Sequence, residues 1–540
     1  MKKHQPNATR EKARPHVKAA TILVAVVLLS SSAALPGDSS DVINPTAMPA
    51  GGTIDKRFQS YNVEMVEVTG GRFWAPYKDI EAGSSTKDTR GSASTPAGMN
   101  PGLYQYRPPL DLSNSRLRKL AAALGPTYVR VSGTWANTVY FADTDAPPTN
   151  PPKGFSSVLT RQQWKGVIDF AHAANAEVIS SFATSSGVRD AEGAWRPEQA
   201  RAFLSYTKSV GGRIAAAEFI NEPNLSFISG APKGYNAAAF ARDMALFRPF
   251  LKEAAPDTLL LGPGSVAEGQ SVALPANLGI IRSEDLLRAT GPVYDVFSYH
   301  LYPAVSQRCA SMSASSGTTA DAALSKEWLA RPDAIQAFYA ELRDQLEPGK
   351  PIWITETADA SCGGNPWAST FLDTFRYLDA HARLAQAGVQ VLAHNTLAAS
   401  DYGLLDYQTF APRPNYWAAL LWRRLMGTTV LKTLPASARD MPLYAHCSGT
   451  EQGAVTVLAI NTDRSAARTV NVSGDSERYT LIASKLEDTH VQLNGRELNL
   501  GPNDSVPQLT GVVTHSGQVT LAPASITFLV FPKAHNTSCR

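Results

Sequence analysis

The stretch Glu218-Phe219-Ile220-Asn221-Glu222-Pro223-Asn224 decides how the fold of this chain is interpreted. It continues an apolar run, and Ala216 to Ile220 has the length and composition of a buried strand. Pro223 ends that strand because proline cannot donate to a sheet ladder. Glu222 is therefore expected at the carboxyl end of a strand. A glutamate there often only caps the next helix, but the Asn-Glu-Pro sequence favours a catalytic role.

A second stretch, Pro351-Ile352-Trp353-Ile354-Thr355-Glu356, has the same pattern of an apolar run that ends in a glutamate. Glu222 and Glu356 are 134 residues apart. At roughly 40 to 45 residues per strand-and-helix unit of a barrel, this spacing puts them three strands apart, on strands four and seven. Those strands lie across the barrel mouth from each other. The two carboxyl groups are therefore predicted to face one another over a single site.

The region around these stretches, from Phe58 to Trp422, alternates short apolar runs with helical periodicity, which is typical of repeated βα units. We therefore predict an α/β fold, a (β/α)8 TIM barrel, which needs eight strands. The candidate strands are Tyr61 to Val68, Tyr128 to Val131, Glu177 to Phe182, Ala216 to Ile220, Thr258 to Leu261, Val293 to Tyr299, Ile352 to Thr355 and Val389 to His394. The candidate helices include Arg161 to Asn175, Pro197 to Val210, Ala237 to Ala254, Pro332 to Gln345 and Ser369 to Ala387.

After Leu425 the pattern changes to short β-rich runs separated by turns, which predicts a C-terminal all-β sandwich. The runs are Val455 to Asn461, Arg468 to Val472, Tyr479 to Ala483, Val519 to Leu521 and Ser525 to Phe531. We therefore predict a signal peptide at 1–35, an N-terminal segment at 36–57 that could add a strand to the sandwich, a catalytic barrel at 58–425 and a β-sandwich domain at 426–540.

The first 35 residues are typical of a signal peptide. A basic stretch precedes the apolar run Ala19 to Leu29, and small residues follow it up to Ala34. We expect cleavage near residues 33–36, a secreted or periplasmic protein and no stable membrane association after cleavage. An uncleaved anchor is the alternative, although the apolar run is short for the roughly 20 residues of a spanning helix.

The net charge excludes some classes of partner. Residues 1–35 contain six basic residues and one acidic residue, so their removal changes the formal net charge from +3 to −2. A chain so close to neutral has no global attraction for nucleic acid or for heavily sulfated polymers, although a local basic patch stays open. No nucleic-acid partner is expected.

The four cysteines suit an oxidising compartment, and their spacing indicates neither a zinc site nor a redox motif. Cys447 and Cys539 lie near the two ends of the β-rich region, so a bridge between them would staple that module. Cys309 and Cys362 then pair with each other, between loops near the site, or stay free.

Two facing glutamates suit the retaining hydrolysis of a glycosidic bond, which needs carboxyl groups about 5 to 5.5 Å apart. We predict Glu222 as general acid/base and Glu356 as nucleophile, with Asn221 holding the 2-hydroxyl of the sugar. Burial and the negative charge of Glu356 should raise the pKa of Glu222. Two carboxylates and a water suffice for this chemistry, so neither a metal nor a cofactor is expected.

The chain resembles glycoside hydrolase family 79, the heparanase and β-glucuronidase family of clan A. The resemblance rests on motifs that occur in the same order across both predicted domains: Thr127-Tyr128-Val129-Arg130, Gly133-Thr134, Asn221-Glu222-Pro223-Asn224, Tyr299-His300-Leu301-Tyr302, Glu356-Thr357, Gly363-Gly364, Asp401-Tyr402-Gly403-Leu404-Leu405-Asp406, Tyr416-Trp417, Gly427-Thr428, Cys447 and Val491-Gln492-Leu493-Asn494-Gly495. It implies a retaining β-glucuronidase that releases β-linked glucuronic acid or 4-O-methyl-glucuronic acid from glycans or glycosides.

The resemblance also implies how the sugar is held. Backbone N–H groups at Gly363 and Gly364 and the hydroxyl of Tyr402 would bind the sugar carboxylate. Glycines let an anion approach the backbone, and successive N–H groups form an anion-binding concavity, although an ordinary Gly-Gly turn is the alternative. Glu64 resembles the family's acidic residue that binds sugar hydroxyls, and His300 and Tyr302 resemble the pair at strand six that borders the nucleophile and could also contact the sugar. The alternative for a histidine or tyrosine at a strand end is packing or a structural hydrogen bond. Trp135 and Trp367 are candidates either for stacking on a sugar ring or for the core.

The chain departs from the family at Ser361-Cys362-Gly363-Gly364, which leaves the donors to the carboxylate open. The loop after Gly262 lacks the lysines and arginines of heparan-sulfate-cleaving members, which favours less charged glucuronides. Walls built from Arg72 to Asn100 or from Ala304 to Ala322 would make the enzyme exo-acting, and an open groove would permit endo cleavage of the heparanase type on glycosaminoglycans. The motifs are also compatible with a clan-A glycosidase for neutral sugars and with an inactive carbohydrate-binding barrel.

Overall fold

Eight parallel strands close into a barrel in the computed structural model, which describes residues 42–81, 95–96, 99–269, 279–311, 317–433 and 441–540. With strands and helices numbered along the chain, the barrel strands are β3 (Gln59–Glu64), β6 (Thr127–Ser132), β9 (Ala176–Ser181), β10 (Ile214–Glu218), β11 (Leu259–Ser265), β12 (Val296–Leu301), β13 (Ile352–Thr357) and β14 (Val389–His394). They follow one another in chain order, and β14 pairs with β3 to close the ring. The predicted (β/α)8 barrel is therefore confirmed.

The inside of the barrel is apolar where the strands enter and polar where they end. Seven strands contribute to one buried apolar layer, which consists of Tyr128, Ile179, Ala215, Ala216, Leu261, Val296, Trp353 and Val391. Because side chains two residues apart share a face of a strand, Arg130 follows Tyr128 and Glu218 follows Ala216 on that inner face. The carboxyl ends of the strands therefore carry a ring of buried polar groups above an apolar plug.

Helices connect the barrel strands and pack their apolar faces on the outside of the sheet. They are α1 (Met65–Thr69), α2 (Tyr77–Glu81), α3 (Ser115–Leu124), α4 (Arg161–Ala173), α5 (Glu198–Ser209), α6 (Ala237–Ala254), α7 (Ser283–Thr290), α8 (Lys326–Leu329), α9 (Arg331–Leu346), α10 (Phe371–Gln386) and α11 (Pro414–Leu425). Local sequence fixes several starts: Thr160 and Gln163 form a capping box before α4, and Asn236 caps α6. Within the described residues, no helix is both long and apolar enough to span a membrane.

The remaining strands form small ribbons on the barrel and a separate β-module. The ribbons are β4 (Gly71–Trp74) with β5 (Tyr104–Arg107) and β7 (Val139–Ala142) with β8 (Ser157–Thr160). The module contains β1 (Val42–Ile43), β2 (Ala50–Thr53), β15 (Met426–Leu431), β16 (Leu443–Ser448), β17 (Val455–Asn461), β18 (Arg468–Val472), β19 (Ser476–Ile482), β20 (Gln492–Leu493), β21 (Arg496–Glu497), β22 (Val512–Thr514), β23 (Gly517–Leu521) and β24 (Ser525–Phe531).

These module strands form a nine-stranded and a three-stranded sheet with a small apolar core between them. The chain upstream of the barrel takes part, since β1 pairs with β18 and β2 pairs with β15. The part of the module that follows the barrel begins at Met426, directly after α11. Cys447 and Cys539 form a disulfide across it. The predicted signal peptide lies outside the described residues.

Several predicted strands differ from the structure at their ends, and two of these differences lie next to the barrel mouth. The run Tyr61 to Val68 is not one strand, because β3 ends at Glu64 and α1 begins at the next residue. A carboxylate causes this break: the side chain of Glu67 accepts a 2.7 Å hydrogen bond from the backbone N–H of Glu64, as at a helix N-terminus. The strand predicted to reach Ile220 ends at Glu218, which gives Glu222 a longer connection than expected.

Candidate active site

Glu222 lies four residues beyond the end of β10, the fourth barrel strand. Its backbone is left-handed, with φ 51° and ψ 59°, which is strained for a residue with a side chain. Asn137 secures the preceding residue: its side chain accepts from the Asn221 N–H at 2.9 Å and donates to the Asn221 carbonyl at 2.9 Å. The two hydrogen bonds to Asn137 thus fix the backbone next to the strained residue. The left-handed backbone at Glu222 places this residue in the wall of the pocket at the barrel mouth.

Glu356 belongs to β13, the seventh barrel strand, and hydrogen-bond donors surround its carboxylate. The hydroxyl of Tyr302 donates to Oε1 at 2.6 Å, and Arg130 Nη1 donates to Oε2 at 3.0 Å. Asn395 Nδ2 lies 3.4 Å from Oε1 and also donates to the Tyr302 hydroxyl at 3.0 Å. These donors hold both oxygens of the Glu356 carboxylate in a fixed orientation.

The two glutamates face each other, as their spacing in the sequence predicts. One carboxylate oxygen of Glu222, one of Glu356 and a ring nitrogen of His300 all lie within 4.8 Å of one another. His300 Nδ1 is 2.9 Å from Oε1 of Glu222 and 3.6 Å from Oε2 of Glu356. The carboxyl groups are therefore close enough to act on one glycosidic bond.

Arg130 is a site residue for which the sequence pattern predicts no role. Its guanidinium is fully buried and donates to Glu218 Oε2 from Nε at 3.0 Å and from Nη2 at 2.8 Å, besides its bond to Glu356. Nη2 also donates to Asn221 Oδ1 at 2.8 Å. The other oxygen of Glu218, Oε1, accepts hydrogen bonds from the hydroxyls of Ser298 at 3.1 Å and Thr355 at 2.6 Å. One buried cation therefore aligns three residues of the site.

The partners of His300 fix its tautomer. Arg130 Nη2 lies 3.2 Å from His300 Nε2, and because a guanidinium only donates, Nε2 accepts in the neutral ring and the proton sits on Nδ1. Nδ1–H then donates to Glu222. Burial lowers the pKa of His300, but the adjacent Glu356 and Glu222 outweigh burial and raise it overall.

The pKa values of the buried carboxyl groups shift in different directions. It raises the pKa of Glu222, and the charge of Glu356 adds to the rise, against the hydrogen bond from His300. For Glu218, burial is outweighed by the positive charge of Arg130, so its pKa is lowered. Burial together with the charge of Glu356 raises the pKa values of Glu64 and Tyr302 well above the ordinary ones. Glu222 thus has the environment of a proton donor.

The pocket over the glutamates encloses about 930 Å³, including space open to solvent. Most of the predicted site residues line it, namely Glu64, Trp135, Asn221, Glu222, Tyr302, Glu356 and Tyr402. His300 is not among the described residues of the wall, because both of its nitrogens are engaged by Arg130 and Glu222 below the surface. We therefore assign it a positioning role in place of the expected sugar contact.

Gly363 and Gly364 are also absent from the described pocket wall, where Ser361 and Cys362 stand instead. Both glycines have left-handed backbones, with φ of 81° and 86°. A Cβ on Gly363 would lie 2.7 Å from Trp74 Cβ, and one on Gly364 would lie 3.2 Å from Tyr402 Cβ. The pair thus brings the loop against two wall residues. Trp367, the second tryptophan candidate, is buried and does not line the pocket.

Glu64 lines the pocket from the end of β3, and the backbone opposite its carboxyl group lies very close. A Cβ on Gly133 would come within 1.5 Å of Glu64 Oε2, so only glycine fits opposite this carboxyl group. Within the described chain, Oε2 of Glu64 has no hydrogen-bond partner. An unpaired buried carboxyl oxygen costs free energy, and a group of the ligand can offset that cost.

The two segments proposed as walls both contribute to the pocket. Phe73, Trp74 and Met99 line it from the first segment, and Val305 lines it from the second. A disulfide between Cys309 and Cys362 joins the second segment to the loop that follows Glu356. It packs in an apolar cluster that includes Val305, Trp74, Met99 and Leu103.

Arg308 ties the same wall together from behind. Its guanidinium is paired with Asp401, donates to the carbonyl of Ala75 and lies 4.0 Å from the ring centre of Tyr77. The hydroxyl of Tyr77 in turn accepts a 3.0 Å hydrogen bond from the Arg308 N–H. Three loops are therefore clamped around one side of the pocket.

The cluster of Glu222, His300 and Glu356 also has the spacing of metal ligands. However, the atoms that would bind a metal already have partners: His300 Nδ1 bonds to Glu222, and Glu356 Oε2 is paired with Arg130. A guanidinium beside the cluster also opposes a second cation there. The residues present fit a proton-transfer site better than a metal site.

Comparison with known proteins supports this interpretation. No protein-family model matches the chain. It is 27% identical to heparanase-like protein 1 of Arabidopsis thaliana, over 80% of this chain and 86% of that protein. It is 26% identical to the baicalin β-D-glucuronidase of Scutellaria baicalensis, over 78% and 84%, and 26% identical to heparanase of Bos taurus, over 79% and 86%.

Solved structures show the same fold. A 4-O-α-L-rhamnosyl-β-D-glucuronidase from Fusarium oxysporum superposes with a TM-score of 0.58 and 12% identity, over 91% of this chain and 99% of that one. A family 51 α-L-arabinofuranosidase from Thermotoga petrophila gives a TM-score of 0.58 and 14% identity, over the same shares.

The barrel fold and the sequence relatives together define a glycoside hydrolase. Within that class, the sequences to which this chain is similar at 26 to 27% identity are a heparanase-like protein, a β-D-glucuronidase and a heparanase. The substrate of this chain is therefore a carbohydrate.

Proposed function

We propose that this protein is a retaining β-glucuronidase, which removes β-linked glucuronic acid or 4-O-methyl-glucuronic acid by double displacement. The observation that carries the proposal is the approach of Glu222 and Glu356 to within 4.8 Å in unlike environments. Retaining enzymes need carboxyl groups about 5 to 5.5 Å apart, whereas inverting enzymes leave room for a water between groups about 6.5 to 9.5 Å apart. The short separation favours retention.

In the first step, Glu356 attacks the anomeric carbon while Glu222 gives its proton to the leaving oxygen. Tyr302 and Arg130 hold one oxygen each of the Glu356 carboxylate, which fixes its direction of attack. In the second step, Glu222 takes a proton from water, and that water displaces Glu356. His300 Nδ1–H stabilises the Glu222 carboxylate that exists between the steps. Asn221, held by Arg130, is suited to bind the 2-hydroxyl.

Groups at the pocket wall and in the glycine loop packed against it suit the carboxylate of the sugar. Tyr402 lines the pocket, and its hydroxyl accepts a 3.2 Å hydrogen bond from Asn395, which leaves the hydroxyl proton for a ligand. In the part of the chain that the structure describes, the backbone N–H groups of Cys362, which lines the pocket, and of Gly363 and Gly364, which do not line it, donate to no acceptor. A neutral anion-binding concavity of this kind needs no lysine or arginine.

The walls of the pocket support exo action over the endo action of the heparanase type. Both insertions that could close the far side of the sugar contribute side chains to the pocket, and a disulfide and Arg308 fasten them. A closed side admits one terminal sugar, whereas an internal sugar of a polymer needs an open groove on both sides. One relative of this chain is named as a β-D-glucuronidase of baicalin, which is in keeping with a single glucuronic acid unit.

The predicted regions of the chain have roles in the proposed function. Residues 58–425 would hold the chemistry, and residues 426–540 would serve as a packing partner of the barrel. Residues 1–35 would act as a signal peptide that is cleaved near 33–36 on the way to the periplasm or the outside of the cell. The disulfides of the described chain suit such a compartment.

The proposal is tested by the rates of hydrolysis of nitrophenyl β-glucuronide, β-glucoside and β-xyloside. We expect the glucuronide to be cleaved with a kcat/KM at least about 100-fold above that of the others, since a buried polar site left unpaired rejects an analogue strongly. A preference for the glucoside or xyloside would support a clan-A enzyme for neutral sugars. No turnover of any of the three would support an inactive barrel.

A further inference from the structure

The side of the pocket next to Glu222 is apolar. Leu225, Ile228, Val266 and Ala267 line it there, and we call these four residues the apolar ledge. Leu225 sits on the same 3-10 turn as Glu222 and donates its N–H to the Glu222 carbonyl at 3.0 Å. Because Glu222 must reach the leaving oxygen, the group attached to that oxygen lies against the residues that neighbour Glu222. The ledge is therefore the surface that meets the aglycone.

The apolar ledge is built in advance of binding. Its two loops are joined by the buried side chain of Asn224, which donates to the Val266 carbonyl at 2.7 Å and accepts from the Val266 N–H at 3.2 Å. The ledge residues pack in one cluster that also contains Tyr302 and Tyr402 of the sugar side. A preformed apolar surface binds an apolar group without first ordering its own loops.

The charges around the pocket discriminate against an anionic aglycone. No lysine, arginine or histidine lines the pocket within the described residues, and its ionisable carboxyl groups belong to Glu64, Glu222 and Glu356. Arg130, the cation beneath the floor, is buried and fully engaged with Glu218 and Glu356. A sulfated or carboxylated neighbour on the ledge would lose its hydration and gain no positive partner.

We infer that the aglycone of the natural substrate is an apolar alkyl or aryl group and not a charged sugar residue of a glycosaminoglycan. This inference rests on the proposed function, because it assigns the leaving-group side of the same β-glucuronidase site. The glucuronic acid supplies the polar half of the substrate, and the apolar ledge supplies the surface for the other half.

A series of n-alkyl β-glucuronides from methyl to hexyl tests the inference, since the leaving alcohols differ in size and hardly in acidity. Burial of a CH₂ group favours binding by a factor of about three to four, so kcat/KM should rise by roughly that factor per carbon until the ledge is covered. A flat series with measurable hydrolysis would overturn the inference and leave the proposed function standing. A series in which no glucuronide is cleaved would overturn both.

Two variants place polarity on the ledge. Ile228→Asn replaces a partly exposed apolar side chain, and Ala267→Asn acts at a residue with φ 60°, a conformation that asparagine adopts more readily than alanine. In each variant, the ratio of hexyl to methyl kcat/KM should fall by at least about 10-fold, the effect of a mismatched hydrophobic contact. The matched control is Phe227→Asn, at an apolar side chain that is 39% exposed and outside the pocket wall. An equal fall in the control, or no fall in either ledge variant, would contradict the inference.

Discussion

The hydroxyl of Tyr302 donates a 2.6 Å hydrogen bond to Oε1 of Glu356, and the same hydroxyl accepts from Asn395 at 3.0 Å. This short chain of donors ends on the oxygen of the proposed nucleophile. The hydrogen bond from Tyr302 orients the Glu356 carboxylate before attack. It engages only Oε1, so this bond leaves Oε2 available to attack. Tyr302 is therefore expected to contribute to the rate of attack.

Tyr302→Phe should lower kcat for a nitrophenyl β-glucuronide by about 10- to 100-fold, because a hydrogen bond to a charged group is worth about 1.5 to 3 kcal/mol. Tyr299→Phe is the matched control, since Tyr299 lies on β12, three residues before Tyr302, and donates to Gln336, away from the site. Steady-state kinetics and thermal unfolding of both variants are the measurements. Equal kcat values for the two variants would remove Tyr302 from the chemistry.

The raised pKa of Glu222 predicts the alkaline side of the pH profile. Glu222 must be protonated to donate, so kcat/KM should fall as the pH rises through its pKa, which burial and Glu356 have raised. Glu222→Gln should lose about 10²- to 10⁴-fold on alkyl glucuronides and much less on a dinitrophenyl glucuronide, whose leaving group needs no acid. With the dinitrophenyl substrate, the alkaline fall should disappear, and added azide should restore turnover. Persistence of the alkaline fall in this variant would assign it to another group.

Glu64 should stabilise substrate binding at the expense of the free protein. Burial and the charge of Glu356 raise the pKa of Glu64 well above its ordinary value. Glu64 therefore lowers the free energy of unfolding once the pH rises above the pKa that Glu64 has in the unfolded chain. Glu64→Gln removes this cost and keeps the shape, and it should raise the free energy of unfolding at neutral pH by about 1–3 kcal/mol. The gain should vanish at low pH, where both forms are neutral. Denaturant unfolding at the two pH values measures it, and a loss of stability at neutral pH would contradict this role of Glu64.

The two disulfides should have different consequences for catalysis. Loss of either bridge, as the double serine variant, should cost about 2–5 kcal/mol of stability, since both close long loops. Only removal of Cys309–Cys362 should raise KM for small glucuronides, because that bridge fastens the pocket wall. The variant without Cys447–Cys539 is the control. Kinetics well below both melting temperatures make the comparison, and a KM increase common to both variants would show a global effect in place of a local one.

The barrel could be predicted from the sequence because each strand is a short apolar run with its own turn signals. β14 and the module strands β17 and β24 begin and end where the pattern predicts, and α6 does too. The β3 boundary could not be predicted from apolar residues, because Met65 to Val68 are as apolar as the strand before them. The Glu67 side chain ends that strand through a hydrogen bond to the backbone.

The site was predictable where a residue has a local signature and not where its role depends on distant partners. Glu222 and Glu356 each follow an apolar run, and that pattern marks them. Arg130 and Glu218 lie 88 residues apart, and nothing near either one in the sequence shows that they meet. Because a parallel barrel strand is buried on both faces, the charged residues Arg130 and Glu218 inside two predicted strands were the available sign that each has a buried partner.

In the proposed mechanism, Glu356 forms a covalent bond to the sugar. The most direct measurement is mass spectrometry of the protein after reaction with a 2-deoxy-2-fluoro-β-glucuronosyl fluoride, followed by peptide mapping. We predict one fluoroglucuronosyl group per chain, attached at Glu356, with loss of activity and no label on Glu356→Gln. A label on Glu222, or no label together with product of inverted anomeric configuration, would contradict it.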